Sequence, residues 1–228
     1  MGIQDKEQVT LLTDYVADSA YSKAYYALSA NIRFNWENTR TKQHTVLLTA
    51  PAYCPEQATI VANVAIATAL NGTPTILFDS DLRTSNLHHR FGAKNAPGLS
   101  NWLTEQAVHK ENISQFLSKT FVPDLRLVSI GTSSLQSHEI SRLLSMKLQG
   151  ILASLRQFLV EAEQRTSIII CNSTPVLEGV DAPLISSLVE QTFLLISAGQ
   201  TTRTQAKKAQ EQLQLAHAKL AGIVMLDG

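Results

Sequence analysis

The 228-residue chain carries 19 Lys and Arg against 19 Asp and Glu, a formal net charge of zero, and so offers no electrostatic footprint for nucleic acid or an anionic membrane surface. Its length suits one sizeable α/β core or at most two small domains. No apolar run approaches the roughly 18–20 residues needed to span a bilayer, no signal-peptide core is present, and Cys54 and Cys171 have neither disulfide-framework nor metal-ligand spacing, so a cytoplasmic protein without direct membrane insertion is expected.

In chain order, the opening residues are polar and 1–14 are expected to fray. From Tyr15 to Phe34, residues Val16, Ala20, Ala24, Ala27 and Leu28 recur at helical spacing, which predicts a long N-terminal helix. Short apolar runs then alternate with helical patterns. The predicted strands are 46–48, 75–78, 125–130, 167–171, 192–197 and 221–226. The predicted helices are 56–70, 99–106, 139–163, 182–189 and 202–218. Such apolar strands alternating with helices imply a doubly wound, mostly parallel sheet covered on both faces, a three-layer α/β/α arrangement. No repeat, low-complexity tract or linker interrupts the chain, so 1–228 reads as a single domain. In these sheets the ligand crevice lies at the C-terminal ends of the strands, which brings the loops after Leu48, Phe78 and Cys171 to one site.

The first of those loops, Thr49 to Thr59, stands where a phosphate-binding P-loop belongs, between a buried strand and an apolar helix. A P-loop needs glycines so that backbone N–H groups can wrap the phosphates, a lysine for the outer phosphates, and a hydroxyl for Mg²⁺. This segment has no glycine and no lysine, and a proline removes a donor. Pro55 at the first helical position and Glu56 next to it give the helix a favourable start and an anion of its own, worth about 0.3–1 kcal/mol. That carboxylate is expected to repel a triphosphate from the helix N-terminus. The second loop carries Asp79 and Asp81 just past a strand. They suit magnesium or proton acceptance, or else Asp81 caps a turn and Asp79 accepts backbone hydrogen bonds. The third loop opens with Asn172, which brings no charge to a dication, and Cys171 before it reads as a small buried hydrophobe.

These residues resemble the cytoplasmic domain of the bacterial tyrosine kinases that regulate capsule and exopolysaccharide synthesis, relatives of the MinD/ParA type of deviant P-loop ATPase. The resemblance spans nearly the whole chain. It is carried by Ala24-Tyr25, Asn31-Ile32, Ala62-Asn63-Val64-Ala65, the run from Leu77 through Arg83 to Ser100, Pro175-Val176-Leu177 with Asp181-Ala182, and Ala198 to Arg203. It implies a P-loop fold and a pattern of loss. The family's loop lysine falls on Gln57, its preceding glycine on Glu56 and its magnesium-binding hydroxyl on Ala58. Thr59 matches the hydroxyl that follows, and the third-loop Asp falls on Asn172. Asp79 and Asp81 stand as the family has them. The family's ring-forming helix pattern falls on Lys23, Tyr26 and Ser29, so a ring oligomer of that type is not expected, and the chain ends at Asp227-Gly228 without the family's tyrosine-rich tail.

Other features have two readings each. Cys54 is either a helix-start thiol of raised reactivity or an ordinary loop thiol. His88-His89 are adjacent and so cannot face one metal together. Tyr15, Tyr21, Tyr25 and Tyr26 are phosphorylation targets, a partner surface, or residues that pack the first helix. Thr201-Thr202 before Arg203 reads as a helix cap, in a region that lies near the nucleotide base in the family.

The resemblance therefore implies a catalytically inactive, tyrosine-kinase-like protein that regulates or scaffolds exopolysaccharide or capsule synthesis and export. No catalytic residue, metal or cofactor is expected. Pro55, Glu56, Gln57, Ala58, Thr59, Asp79, Asp81 and Asn172 mark a degenerate nucleotide site. The implied partners are the cytoplasmic tail of a membrane polysaccharide co-polymerase, which would recruit the protein to the inner membrane, and an active kinase homologue. The competing expectation is an active or nucleotide-binding kinase in which Asp79 and Asp81 hold magnesium with ATP and a basic residue such as Arg83 replaces the lysine. A MinD/ParA-like positioning factor shares the fold, but the amphipathic membrane-targeting tail is missing.

Overall fold

The computed structural model describes residues 11–34, 36, 42–85, 87–93, 96–105, 110–162 and 165–226. Seven strands form one sheet: β1 (Gln43–Thr49), β2 (Thr75–Asp79), β3 (Ser118–Lys119), β4 (Leu125–Val128), β5 (Ser167–Asn172), β6 (Gln191–Ser197) and β7 (Leu220–Leu226). Their spatial order is β3-β4-β2-β5-β1-β6-β7. Every pairing is parallel except β3 against β4. The helices are α1 (Ala20–Phe34), α2 (Gln57–Leu70), α3 (Leu87–Arg90), α4 (Leu99–Thr104), α5 (Ser137–Ala162), α6 (Asp181–Ser186) and α7 (Arg203–Leu215).

Alternate residues of each central strand enter opposite cores, because side chains leave a strand on alternate faces. Val46, Leu48, Ile168 and Ile170 join α1 and α2 on one face. Leu47, Ile169 and Cys171 join α4 and α5 on the other. This is the doubly wound, three-layer arrangement that the apolar strand runs imply. Among the described residues no helix is long and apolar enough to cross a membrane.

α2 is apolar on all sides, as suits a helix enclosed on all sides, and eleven of its residues are buried. Its two buried polar side chains in mid-helix are both bonded. Thr68 donates to Val64 O (2.7 Å) and meets Ser29 of α1 at 2.9 Å. Asn63 accepts from Leu12 N–H (2.9 Å) and donates to the Tyr21 hydroxyl (2.9 Å).

The N-terminal region departs from the sequence expectation in two ways. Leu11 to Asp14 do not fray: Leu11 and Leu12 are buried, and a short 3₁₀ turn covers 12–14. Asn63, a buried polar residue of a distant helix, holds this turn, and no local pattern reveals that. The first helix also begins at Ala20 rather than Tyr15. Ser19 ends the helix there, because its hydroxyl accepts from Ser22 N–H (3.1 Å) and its carbonyl takes the first helical bond from Lys23. Tyr15 lies before that cap and stacks on Tyr21 with ring centroids 4.1 Å apart. Tyr21, Tyr25 and Tyr26 pack against the first core. Gln106 and Glu163, at the ends of two predicted helices, lie outside the described residues.

Replacing Asn63 with Ala orphans the buried Leu12 N–H and removes one of the two partners of the Tyr21 hydroxyl, leaving Tyr25. At roughly 1–3 kcal/mol for a buried unsatisfied donor, the melting temperature is expected to fall by several degrees. A Tm within one degree of wild type in a thermal melt contradicts this role.

Candidate functional site

β1, β5 and β2 are neighbours in the sheet, so the loops leaving their C-terminal ends share one crevice, as parallel topology requires. The first loop is sewn to the third. Val176 N–H and Leu177 N–H donate to the carbonyls of Ala50 and Pro51, each at 2.9 Å, and the Thr49 hydroxyl donates to Thr174 O (3.3 Å). Prolines at 51 and 55 remove two further backbone donors from the loop.

Gln57 is the first residue of α2 and is buried. Its side-chain Oε1 accepts from Ala50 N–H at 2.8 Å. Its Nε2 donates to Asn172 Oδ1 (3.1 Å) and to Ser173 O (2.5 Å). One amide thus takes a backbone donor of the first loop and ties it to the third loop. Asn172 continues the chain by donating from Nδ2 to Asp79 Oδ1 (3.0 Å). The Ser85 hydroxyl donates to Asp79 Oδ2 (2.5 Å), and the Ser80 hydroxyl donates to the Asn172 carbonyl. All three loops are joined through side chains, none of them basic.

Asp79 is fully buried, and its carboxyl pKa is pushed up to about 7. Burial is the main cause. The bonds from Ser85 and Asn172 work against it, and the neighbouring Asp81 carboxylate adds to it. Asp79 accepts from side chains, where the sequence suggested backbone partners. Asp81 caps its turn instead: Oδ1 accepts from the N–H groups of Arg83 (3.2 Å) and Thr84 (3.1 Å), and Oδ2 accepts from the Thr84 hydroxyl (2.5 Å). That is the Asx geometry short acidic side chains adopt in loops.

The remaining residues of the phosphate-loop segment occupy less direct positions. Pro55 and Glu56 form a turn ahead of the helix, with Gln57 N–H bonded to Cys54 O (3.1 Å) and Ile60 N–H to Glu56 O (2.9 Å), so Pro55 is not the first helical residue. Glu56 is exposed and accepts from the Cys54 thiol at 3.5 Å. It lines a cavity of about 510 Å³ between α1, α2 and β7 instead of the crevice between the loops. The Cys54 thiol is buried, and burial followed by Glu56 raises its pKa, so it is not an activated nucleophile. Ala58 packs half-buried against the first core, and the Thr59 hydroxyl accepts from the Arg90 guanidinium.

The basic residue at the crevice is Arg90, not Arg83. Arg83 donates from Nη2 (2.9 Å) and Nε (3.2 Å) to Oδ2 of buried Asp181, which also accepts from Thr174. Arg90 comes from the single turn of α3 and lines the crevice with Cys54, Gln57, Asp81 and Asn172. Burial lowers its pKa, partly offset by Asp79. A four-residue helix with two histidines has no periodic signal, so sequence reading gave Arg90 no role. The crevice itself encloses about 190 Å³. Cys171, deep in β5, is fully buried with its thiol pKa pushed up to about 12, chiefly by burial.

Two expectations follow from this chain of bonds. A Gln57→Leu substitution leaves Ala50 N–H and Ser173 O buried without partners and is expected to lower stability by about 2–6 kcal/mol, at roughly 1–3 kcal/mol for each of the two groups; an unchanged urea midpoint contradicts it. Because the folded pKa of Asp79 lies above its unfolded value, the native state holds the extra proton between about pH 4 and 7. Stability is then fullest at the acidic end and falls as pH rises through that window, by up to about 1.4 kcal/mol per unit. Melts of wild type and Asp79→Asn at pH 5 and pH 8 test this: the substitution should remove most of the decline, and equal declines contradict the assignment.

No protein-family model matches the chain. The chain is similar to the tyrosine-protein kinase YwqD of Bacillus subtilis, 28% identical over 207 residues that cover 91% of this chain and 81% of YwqD. It is also similar to the tyrosine-protein kinase CpsD of Streptococcus agalactiae, 23% identical over 88% of this chain and 81% of CpsD. Among solved structures, the chimerical protein CapA2B2 superposes with a TM-score of 0.77 at 24% identity, covering 95% of this chain and 88% of that one. The septum site-determining protein MinD of Pyrococcus horikoshii, solved with Mg-ADP, superposes with a TM-score of 0.62 at 16% identity over 80% of this chain and 70% of its own. The chain is thus similar to bacterial tyrosine-protein kinases and has the α/β fold of the CapA2B2 and MinD structures.

Proposed function

We propose that the protein is a tyrosine-kinase-like partner that has given up nucleotide chemistry and works by binding, as a regulator or scaffold in capsule or exopolysaccharide synthesis and export. Its kinase relatives support the setting, and one observation carries the loss of chemistry. The Gln57 amide spans the crevice from Ala50 to Asn172 and Ser173, where a magnesium-bound polyphosphate would need free backbone donors and a lysine.

The other groups at the crevice fit that ligand no better. Asn172 brings no charge, Ala58 no oxygen, and Asp81 spends both carboxylate oxygens within its own turn. Asp79 is buried with a carboxyl pKa near 7, so at neutral pH it is divided between neutral and charged forms. A space of about 190 Å³ is also below the roughly 300–1,000 Å³ of small-molecule sites. The degenerate site of Pro55, Glu56, Gln57, Ala58, Thr59, Asp79, Asp81 and Asn172 is on this reading a structural joint between three loops. Catalysis of phosphoryl transfer rests almost wholly on positioning and electrostatic stabilisation, and this joint supplies neither.

The proposed partner is the cytoplasmic tail of a membrane polysaccharide co-polymerase, with an active kinase homologue as a second. Binding there would hold the protein at the inner membrane. The residues of the amide chain, Gln57, Asn172 and Asp79, are not among the apolar residues of either core.

Thermal melts with and without millimolar Mg-ATP or Mg-ADP test the loss of chemistry and are expected to superimpose. A nucleotide present at about 100 times its Kd would stabilise by about 2.7 kcal/mol, an upward shift of several degrees. Such a shift would contradict the proposal and favour a nucleotide-binding kinase that uses Asp79 and Asp81.

A further inference from the structure

The start of α2 serves two cavities. Gln57 and Ala58 line the crevice between the loops, whereas Glu56, Thr59 and Ile60 line the cavity of about 510 Å³ between α1, α2 and β7. Residues three and four apart share a helix face, so Glu56, just before the helix, falls on the side of Thr59 and Ile60. This second cavity is within the roughly 300–1,000 Å³ of small-molecule sites and has their composition, an apolar lining with a few polar groups. Tyr21, Tyr25 and Leu28 of α1, Ile60 of α2, and Val224 and Leu226 of β7 supply the apolar wall. All six belong to the first core or pack against it, so the wall is part of the folded framework.

Charge decides which ligand that wall suits. Glu56 is the one charged residue in the lining, and among the described residues no Lys, Arg or His lines the cavity. The Glu56 carboxylate accepts from the Cys54 thiol at 3.5 Å, a weak donor. It pairs with no cation among the described residues. Arg90 reaches the Thr59 hydroxyl but lines the crevice instead. An entering phosphate or carboxylate would therefore meet Glu56 with no cation in the wall to offset it. The rings of Tyr21 and Tyr25 stand edge to face with centroids 5.0 Å apart. The Tyr25 hydroxyl donates to that of Tyr21 at 3.4 Å, which keeps its own oxygen as an acceptor. Aromatic rings beside a carboxylate make a lining suited to an ammonium group. The dipole at the start of α2 offsets part of the Glu56 charge, so the preference for a cation is modest.

We propose that this cavity binds a small organic ammonium ion with an apolar body, its charge against Glu56 and its body against the wall between α1 and β7. The site is separate from the crevice and does not depend on whether the crevice takes a nucleotide.

Three probes of similar shape and different charge test it at neutral pH: phenethylamine, which is protonated there, phenethyl alcohol and phenylacetate. Each is titrated into the full chain with protein-observed NMR. Saturable binding of the ammonium probe is expected, about fivefold tighter than the alcohol, the scale of one exposed charge pair. Phenylacetate should bind most weakly, and the shifts should centre on Tyr21, Tyr25, Val224 and Leu226. Glu56→Gln should remove the difference between the ammonium probe and the alcohol. Ala24→Trp fills the cavity from an exposed position of α1 and should weaken all three. The proposal is overturned by any of five results: no saturable binding of the ammonium probe, phenylacetate binding as tightly, a preference that survives Glu56→Gln, binding indifferent to Ala24→Trp, or displacement of the probe by adenosine at equal concentration.

Discussion

The crevice is organised by a single side-chain amide. Gln57 accepts a backbone proton from the loop after β1 and donates two to the loop after β5, and only an amide both accepts and donates in this way. A lysine at the same position has three donors and no acceptor, so Ala50 N–H would lose its partner. The choice of glutamine also constrains its neighbours. Asn172 can accept from Gln57 and donate to Asp79, whereas an aspartate there would set two carboxylates against each other in a buried site. Gln57, Asn172 and Asp79 with Ser85 therefore form one consistent unit, in which buried polar groups are bonded to one another as burial demands.

The cations near the crevice are likewise engaged within the protein. Arg83 pairs with Asp181, a carboxylate of α6 with no exposed side-chain surface, and a buried ion pair of this kind is held by the cost of separating it more than by any net gain. Arg90 donates to Thr59 on the first turn of α2, the helix end that binds phosphate in P-loops. Glu56 lines the cavity beside α1 and β7, and its carboxylate accepts from the thiol of Cys54, which itself lines the crevice. The side chains that cross between the loops at the crevice are those of the amide chain, and Glu56 is not one of them.

The sheet was legible because its central strands are written in one idiom. Ile168, Ile169 and Ile170 in succession are intelligible only if both faces of a strand are covered, and the cores on either side receive them alternately. The two-residue strand β3 and the four-residue helix α3 are too short to show any period. The start of α1 was missed because Val16 continues the apolar spacing, while the Ser19 cap that ends it depends on a hydrogen bond. At the crevice, the sequence named Gln57, Asp79, Asp81 and Asn172 but not how they bond to one another. Gln57 read as the absence of a lysine, and the partners at positions 50, 172 and 173 are brought to it only by parallel pairing. Arg83 stood nearer in sequence to Asp79 and Asp81 than Arg90 does, yet the turn capped by Asp81 directs it toward Asp181.

The amide chain reaches the first core at Ala50, whose N–H is bonded to Gln57. The central claim is that Gln57 fills the place a polyphosphate would take. A crystal structure determined in the presence of millimolar magnesium and a non-hydrolysable ATP analogue tests it most directly. The expected result is Gln57 still bonded to Ala50 and Asn172 with no nucleotide density against residues 50–59. Polyphosphate density along that loop, with the Gln57 side chain swung out of the crevice, would contradict it.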